Sequence, residues 1–208
     1  MAEMGADAIP ALTDAMEHEE ARYWATLVVQ EIGEPAKPLV PQLTAMIADD
    51  DEPELRMQAI LALGAIGEPA KDAVPLIIGQ LKNDKYNAAK YAAAYVLPQL
   101  EAKEAKDELQ AAVDANQGED GDLFLRVISA RGLAVLFPED DGLQTQAVEA
   151  IIAGLQSEDK NIRRAAVRAL AETKAPSEEV QPRLIAAIEA ADSELIADII
   201  RALSSMGA

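Results

Sequence analysis

The chain has 208 residues, of which half are apolar, mostly Ala, Leu, Ile and Val, and only 3% are aromatic. Its 37 acidic and 18 basic residues give a formal net charge of -19, which argues against general nucleic-acid binding because phosphate backbones would be repelled. The absence of cysteine excludes disulfides and thiolate metal sites, and the lack of a long apolar run or signal peptide predicts a soluble, cytoplasmic protein, or an exported one whose signal was removed.

One short sequence occurs twice and predicts an internal repeat. Gly-Glu-Pro-Ala-Lys at residues 33–37 returns unchanged at residues 67–71, and Arg22 and Arg56 stand at the same distance before each copy. Ala and Leu are strong helix formers, and the alternation typical of strands is absent. The sequence therefore predicts an all-α array.

The helices can be predicted in chain order from the positions of their apolar residues. First helices are expected at about 6–17, 38–48, 72–82, 105–116, 143–156 and 178–190, each followed by an acidic turn and a second helix. Counted from a reference residue in each second helix, apolar residues at offsets -1, +3, +6, +7 and +10 fall on one face. The reference residues are Arg22, Arg56, Lys90, Arg126, Arg163 and Ile196. Pro41, Pro75 and Pro182 are expected near the start of their first helices, and Pro98 should bend or end its second helix.

The resulting pattern is an acidic turn, an apolar residue, Arg, and then Ala and Leu at helical spacing. Residues 159–170 and 54–67 show it most clearly, and they resemble the HEAT-like repeats of the phycobilisome lyase family. The resemblance implies an α-solenoid of about six helix pairs in a right-handed superhelix, with the second helices on the concave side. The expected units, within a single domain, are about 6–37, 38–71, 72–104, 105–142, 143–177 and 178–208. A tetratricopeptide array has the same period, but its aromatic positions are absent here.

The second helices also predict a binding surface, because offsets +1, +5 and +8 lie opposite the core face. The residues predicted to contact a partner on this concave face are Tyr23, Leu27, Met57, Leu61, Tyr91, Tyr95, Arg131, Arg164, Arg168 and Arg201. The first six are apolar or aromatic and the last four are cationic, so the expected partner is a protein or peptide, acidic or phosphorylated, with an apolar end. Two alternatives stay open: the apolar side chains could pack between repeats, and the arginines could pair with nearby carboxylates.

Two further groups of residues are expected to have structural roles. The basic reference residues should pair with carboxylates of a neighbouring unit, and Trp24 should belong to the core or cap the terminal repeat. Ile196, Ile199, Ile200 and Leu203 make the last predicted helix apolar, whereas solenoid ends normally carry a polar cap. This predicts either further chain or another molecule docked at that end.

Residues that could perform chemistry are scarce. The single histidine, His18, stands in an acidic turn, and neither a nucleophile motif nor a phosphate-binding glycine loop occurs. We therefore expect no catalytic residue, no cofactor and no metal, and a non-enzymatic protein-protein interaction scaffold. The alternative, suggested by the family resemblance, is a bilin lyase or a chaperone-like lyase subunit. A DNA-repair scaffold would need a basic face along the whole array, which the first three units do not offer.

Overall fold

Twelve α-helices form six successive pairs in the computed structural model, which describes residues 5, 7–49, 52–118, 120–173, 177–188 and 191–205. The first helices of the pairs are α1 (Ile9–Glu17), α3 (Val40–Asp49), α5 (Val74–Asn83), α7 (Lys106–Ala115), α9 (Asp141–Leu155) and α11 (Ser177–Ala187). The second helices are α2 (Glu19–Ile32), α4 (Pro53–Ile66), α6 (Asn87–Val96), α8 (Leu123–Leu136), α10 (Lys160–Glu172) and α12 (Ser193–Ser205). Short 3₁₀ segments occupy Glu34–Leu39, Glu68–Ala73 and Lys103–Ala105.

The repeated Gly-Glu-Pro-Ala-Lys sequence ends two of the second helices. Gly33 has φ 69° and Gly67 has φ 76°, a left-handed backbone conformation that glycine adopts without the strain of a side chain. Their backbone N–H groups still donate to the carbonyls of Val29 and Leu63, and the proline that follows two residues later is the second residue of a 3₁₀ segment. The sequence motif is therefore a helix stop, as its composition predicts.

The chain divides into two compact units, Met1–Ala105 and Lys106–Ala208. In the first unit, each first helix packs on the second helix of its pair, and α2 packs on α4 and α4 on α6. In the second unit, α8 packs on α7, α9 and α10, and α10 packs on α12. Large side chains such as Leu43, Ile60 and Leu63 in the first unit, and Leu109 and Leu133 in the second, are fully buried between these helices.

The predicted fold class is confirmed: the chain is all-α, with the stacked helix pairs of an α-solenoid of about six HEAT-like repeats. The handedness of the superhelix and the single domain stay predictions. Pro98 lies beyond the end of α6 at Val96, as expected. Pro182 does not start its helix but lies inside α11, so that prediction was wrong. The helix begins at Ser177, five residues before Pro182, although this proline supplies no backbone N–H donor.

Candidate functional site

The apolar half of the predicted surface lies on the three second helices of the first unit. Tyr23 and Leu27 are on α2, Met57 and Leu61 on α4, and Tyr91 and Tyr95 on α6. All are half-buried except Tyr95, which is 45% exposed. Because α4 packs against both α2 and α6, the structure brings these side chains onto adjacent helices.

Offset +8, expected to face outward, is buried in several repeats. Gly64 and Pro98 are buried in the first unit, and Ala134 is only 1% exposed in the second. Val127, at offset +1 in the second unit, is fully buried. The glycine shows why, since a Cβ atom at residue 64 would come within 2.7 Å of the Val96 side chain on α6. Gly64 thus lies where α4 contacts α6, and Val127 lies against Gly154 of α9. The outward-facing surface is therefore narrower than the helical wheel predicts.

Two exposed apolar residues were missing from the predicted surface. Trp24 is 66% exposed and stacks edge-on against Tyr23, with 5.6 Å between ring centroids, and Val28 one turn later is 45% exposed. The expectation that these two side chains belong to the core was wrong, and a capping role of Trp24 in the terminal repeat stays a prediction. The corresponding residues of α4, Gln58 and Ala62, are buried, because Gln58 lies against α2 and donates a hydrogen bond to Gln30. No described second helix precedes α2 to cover Trp24 in the same way.

Three of the four predicted arginines meet at one carboxylate in the second unit. Asp198 on α12 is buried, and it accepts hydrogen bonds from Arg164 Nε at 2.9 Å, Arg201 Nη1 at 2.6 Å and Arg168 Nη2 at 3.4 Å. Arg164 also donates to Glu194 at 3.0 Å. Asp198 was not among the predicted site residues. Its only signal in the sequence is an acidic residue at a helix position that is apolar or amide-bearing in the other five repeats.

The charge on Asp198 is kept by its arginines. Burial alone would raise the pKa of this carboxyl, but the hydrogen bond from Arg164 and the positive charges of Arg164, Arg168 and Arg201 outweigh it. The pKa of Asp198 therefore lies below its ordinary value, and the group is ionised at neutral pH. A buried anion thus orients three guanidinium groups on two helices.

The fourth arginine, Arg131 on α8, pairs with Glu172 at the end of α10, with Nη2 2.6 Å and Nε 3.0 Å from the same oxygen. Glu172 also borders an open cleft of about 330 Å³ whose other walls include Arg168, Arg201 and Ser205. Arg168 and Arg201 thus line this cleft, while Arg164 and Arg131 are bonded to carboxylates that line it, Asp198 and Glu172. Each of the four arginines is bonded to a carboxylate, as expected if they pair with nearby acidic residues. Partner binding at these residues stays a prediction.

The basic reference residues form part of the expected ladder of ion pairs. Arg22 donates to Glu52 of the next repeat at 2.8 Å, and Arg56 binds both oxygens of Asp84 at 2.9 and 3.0 Å. Arg163 departs from the prediction because its Nη1 donates to the backbone carbonyls of Ser157 and Glu158 in the preceding turn. The ladder is therefore confirmed at the first two positions only.

Groups that could support catalysis or bind metal are few in the part of the chain that the structure describes. His18 is exposed and lies 3.8 Å from Asp14, its neighbour one turn earlier. No three His, Asp or Glu side chains of the described residues converge as a metal site would require. Nor is any described helix both long enough and apolar enough to cross a membrane.

Comparison with known proteins identifies the type of repeat. A family model described as HEAT repeats matches residues 40–123 and 148–208, more than half of the chain. No curated protein sequence matches the chain.

Solved structures share the architecture at low sequence identity. A chain from the complex of CpcE and CpcF of phycocyanin lyase from Nostoc sp. PCC7120 is 24% identical, with a TM-score of 0.54, over 79% of this chain and 98% of that one. A designed armadillo repeat protein is 15% identical, with a TM-score of 0.54, over 95% and 99% of the two chains. A chain from the complex of Kap95p with RanGDP is 16% identical, with a TM-score of 0.54, over 99% of this chain and 30% of that one. These likenesses show a HEAT- and armadillo-type fold.

Proposed function

Because this chain belongs to the HEAT-repeat family, we propose that it is a non-enzymatic protein-binding scaffold that holds a segment of a partner protein along its second helices. The fold is typical of protein-binding scaffolds. Two of its structural neighbours come from protein complexes, CpcE with CpcF and Kap95p with RanGDP. Both precedents concern those proteins, and here they support a binding role for the repeat surface.

The observation that carries the proposal is that second helices of the first unit expose apolar side chains, two on the uncovered face of α2 and one on α6. Trp24, Val28 and Tyr95 are each at least 45% exposed on second helices, although the chain has only 3% aromatic residues. Aromatic side chains are enriched at the centres of protein interfaces because each one buries a large area with few rotatable bonds. We expect the apolar end of the partner segment to contact these residues.

The second unit carries a surface of its own, which favours acidic or phosphorylated residues of a partner. Arg168 and Arg201 have side chains that are 60% and 74% exposed, and their hydrogen bonds to Asp198 leave other guanidinium donors facing solvent. A guanidinium carries five N–H donors, so each can bind a second carboxylate or a phosphate. Arg164 is more suited to holding α10 against α12 because it is bonded to both Asp198 and Glu194.

Titration of fluorescent peptides tests both halves of this surface. Peptides with an aromatic end and an acidic or phosphorylated end are screened, and the tightest binder is then measured against variants. Tyr95→Ala should weaken binding at any salt concentration, whereas Arg168→Gln combined with Arg201→Gln should weaken it and flatten its salt dependence.

Matched controls lie away from the second helices. Ile185→Ala removes an equally exposed apolar side chain on α11, and Lys103→Gln removes an exposed positive charge from a 3₁₀ segment. The proposal fails if these controls reduce affinity as much as the surface variants, or if the surface variants leave it unchanged.

A bilin lyase subunit is the second candidate, supported by the structural likeness to the CpcE and CpcF complex. Such a subunit would be expected to bind a tetrapyrrole, alone or with a second subunit. Mixing the chain with a bilin and an acceptor protein tests it by absorption spectroscopy. A spectral shift or covalent adduct would support this candidate, and the absence of both would remove it.

A further inference from the structure

Four second helices carry an arginine as their fourth residue: Arg22 in α2, Arg56 in α4, Arg126 in α8 and Arg163 in α10. The same place in the repeat should expose each guanidinium to the same kind of surroundings. The surroundings differ most between Arg56 and Arg126, so the partners of these two guanidinium groups can be compared directly.

Arg56 is satisfied by a carboxylate and an aromatic ring from the next turn of the chain. Its Nε and Nη2 bind the two oxygens of Asp84, whose side chain is only 2% exposed. The Tyr86 ring lies over the guanidinium at 5.8 Å, and the Tyr86 backbone N–H donates to Asp84 at 2.8 Å. The turn is thus ordered around the ion pair.

Arg126 has neither group. Its Nε is buried and donates to no acceptor, which is also true of the Arg163 Nε. Arg163 still donates from Nη1 to two carbonyls, whereas among the described residues no carboxylate lies within ion-pairing distance of the Arg126 guanidinium. The turn that would supply one is the turn before α10, where Ser157 occupies the place of Asp84. That turn is engaged elsewhere, because the Ser157 and Glu158 carbonyls accept from Arg163 at 2.7 and 2.8 Å.

An open pocket of about 590 Å³ lies beside Arg126, between α7, α8 and α9. Its walls include the amides of Gln110, Gln117 and Gln146, which both donate and accept hydrogen bonds and suit a peptide backbone. The Nη groups are the part of the Arg126 guanidinium that a ligand in this pocket can contact, because its Nε has almost no solvent-accessible surface. A carboxylate placed there would be favoured, since hydrogen bonds between charged groups are stronger than neutral ones.

Two acidic residues in the same walls restrict the charge of a ligand. Asp114 accepts from Gln110 and Gln117, each at 3.2 Å, and Glu149 lies on α9. Their negative charges would oppose a doubly charged phosphate more than a single carboxylate.

We propose that this pocket binds the carboxylate of an aspartate or glutamate side chain on a partner peptide, placed against the Nη groups of Arg126, so that Arg126 gains the carboxylate partner that Arg56 has in Asp84. The flanking peptide backbone would bind the glutamine amides. The site is lined mainly by first helices and so is separate from the second-helix surface of the proposed function. Either can fail without the other.

The test follows the Nε–Hε signals of the arginines by NMR in the whole chain. The Arg126 signal is assigned as the one that disappears in Arg126→Gln. The probe is acetyl-Asp-Lys-Tyr-amide, which copies the residues that satisfy Arg56. We expect a saturable shift of the Arg126 signal and none at Arg56, whose carboxylate position is filled. Acetyl-Asn-Lys-Tyr-amide, with the same shape but no charge, should leave Arg126 unshifted.

Three further arms define the ligand. Glu149→Gln should tighten binding of the aspartyl probe by removing a repulsive charge. Inorganic phosphate and a peptide with only a C-terminal carboxylate should bind more weakly than that probe. Asp84→Ala should make the Arg56 signal respond to the probe as Arg126 does, since the place of the Asp84 carboxylate beside Arg56 is then empty.

No saturable shift at Arg126, an equal shift with the asparagine probe, or an equal shift at Arg56 in the unaltered chain would overturn the proposal. Tighter binding of phosphate or of the C-terminal carboxylate would show that the pocket takes a different anion. The main comparison uses the unaltered chain, so it does not depend on whether a variant folds.

Discussion

Arg164 on α10 donates from Nε to Oδ2 of Asp198 on α12 across 2.9 Å, which joins the second helices of two successive repeats through a buried carboxylate. Two more arginines bond the same carboxylate, so Asp198 concentrates much of the positive charge of the second unit. The arrangement makes Asp198 a structural anchor and leaves Arg168 and Arg201 exposed.

Replacing Asp198 by Asn should destabilise the second unit. Hydrogen bonds to charged groups contribute about 1.5–3 kcal/mol each to stability. The exposed Arg168 and Arg201 can replace their bonds to Asp198 with bonds to water, so we expect a total loss of only about 1.5–3 kcal/mol. Urea unfolding followed by circular dichroism measures it. Glu194→Gln is the matched control, because this exposed partner of Arg164 should cost about 0.2–1 kcal/mol. Equal losses in the two variants would contradict the anchor role.

The stability difference between the unaltered chain and Asp198→Asn should depend on pH. The folded pKa of Asp198 lies below the ordinary value of 3.8, so its contribution to the free energy of unfolding is complete well above pH 3.8. It should diminish as the pH falls below 3.8 and vanish once the pH is under the folded pKa. The difference in stability between the unaltered chain and Asp198→Asn should therefore shrink in acid. A difference that stays constant from pH 7 to the acid limit would show that the ionised carboxylate is not responsible.

The close contact between α4 and α6 can be tested with glycine substitutions. A Cβ atom at Gly64 would lie 2.7 Å from Val96 Cγ2 and 2.8 Å from Gln99 Oε1, so Gly64→Ala forces apart packed side chains. We expect a loss of about 1–3 kcal/mol in urea unfolding.

The control for that substitution is Gly79→Ala on α5. Apart from its chain neighbours and the adjacent backbone of its own helix, no atom lies within 4 Å of the added Cβ. The main effect should therefore be the better helix propensity of alanine, a gain of about 0.5–1 kcal/mol. If both substitutions stabilise the chain, the helices do not approach as closely as the structure shows.

Trp24 provides an optical test of the exposed surface. As the single tryptophan, 66% exposed, it should be quenched by acrylamide nearly as efficiently as a free indole in water. Trp24→Ala should change stability by less than about 0.5 kcal/mol because little buried area is lost. By comparison, Leu43→Ala in the core should cost about 2–5 kcal/mol. A protected Trp24, or a large loss on its removal, would place this residue in the core after all.

Much of the fold can be predicted from the chain itself because its signals are local. The spacing of Ala, Leu and Ile shows which residues face the core, Gly33 and Gly67 end their helices, and Pro98 follows the end of α6. These features depend on backbone preferences within about one helical turn. The ion pairs at Arg22 and Arg56 were also predictable, since they follow from the repeat period.

What the sequence by itself determined is therefore the all-α repeat, its period and the residues that occupy the second helices. Only the tertiary structure decided which of those residues are covered. Trp24 is exposed while Val127 is buried, and Asp198 collects Arg164 from 34 positions away, because each depends on how neighbouring repeats contact one another. A helical wheel treats every repeat alike, but the side chain facing a residue comes from the adjacent repeat. That neighbour determines whether a residue is buried and whether its charge finds a partner.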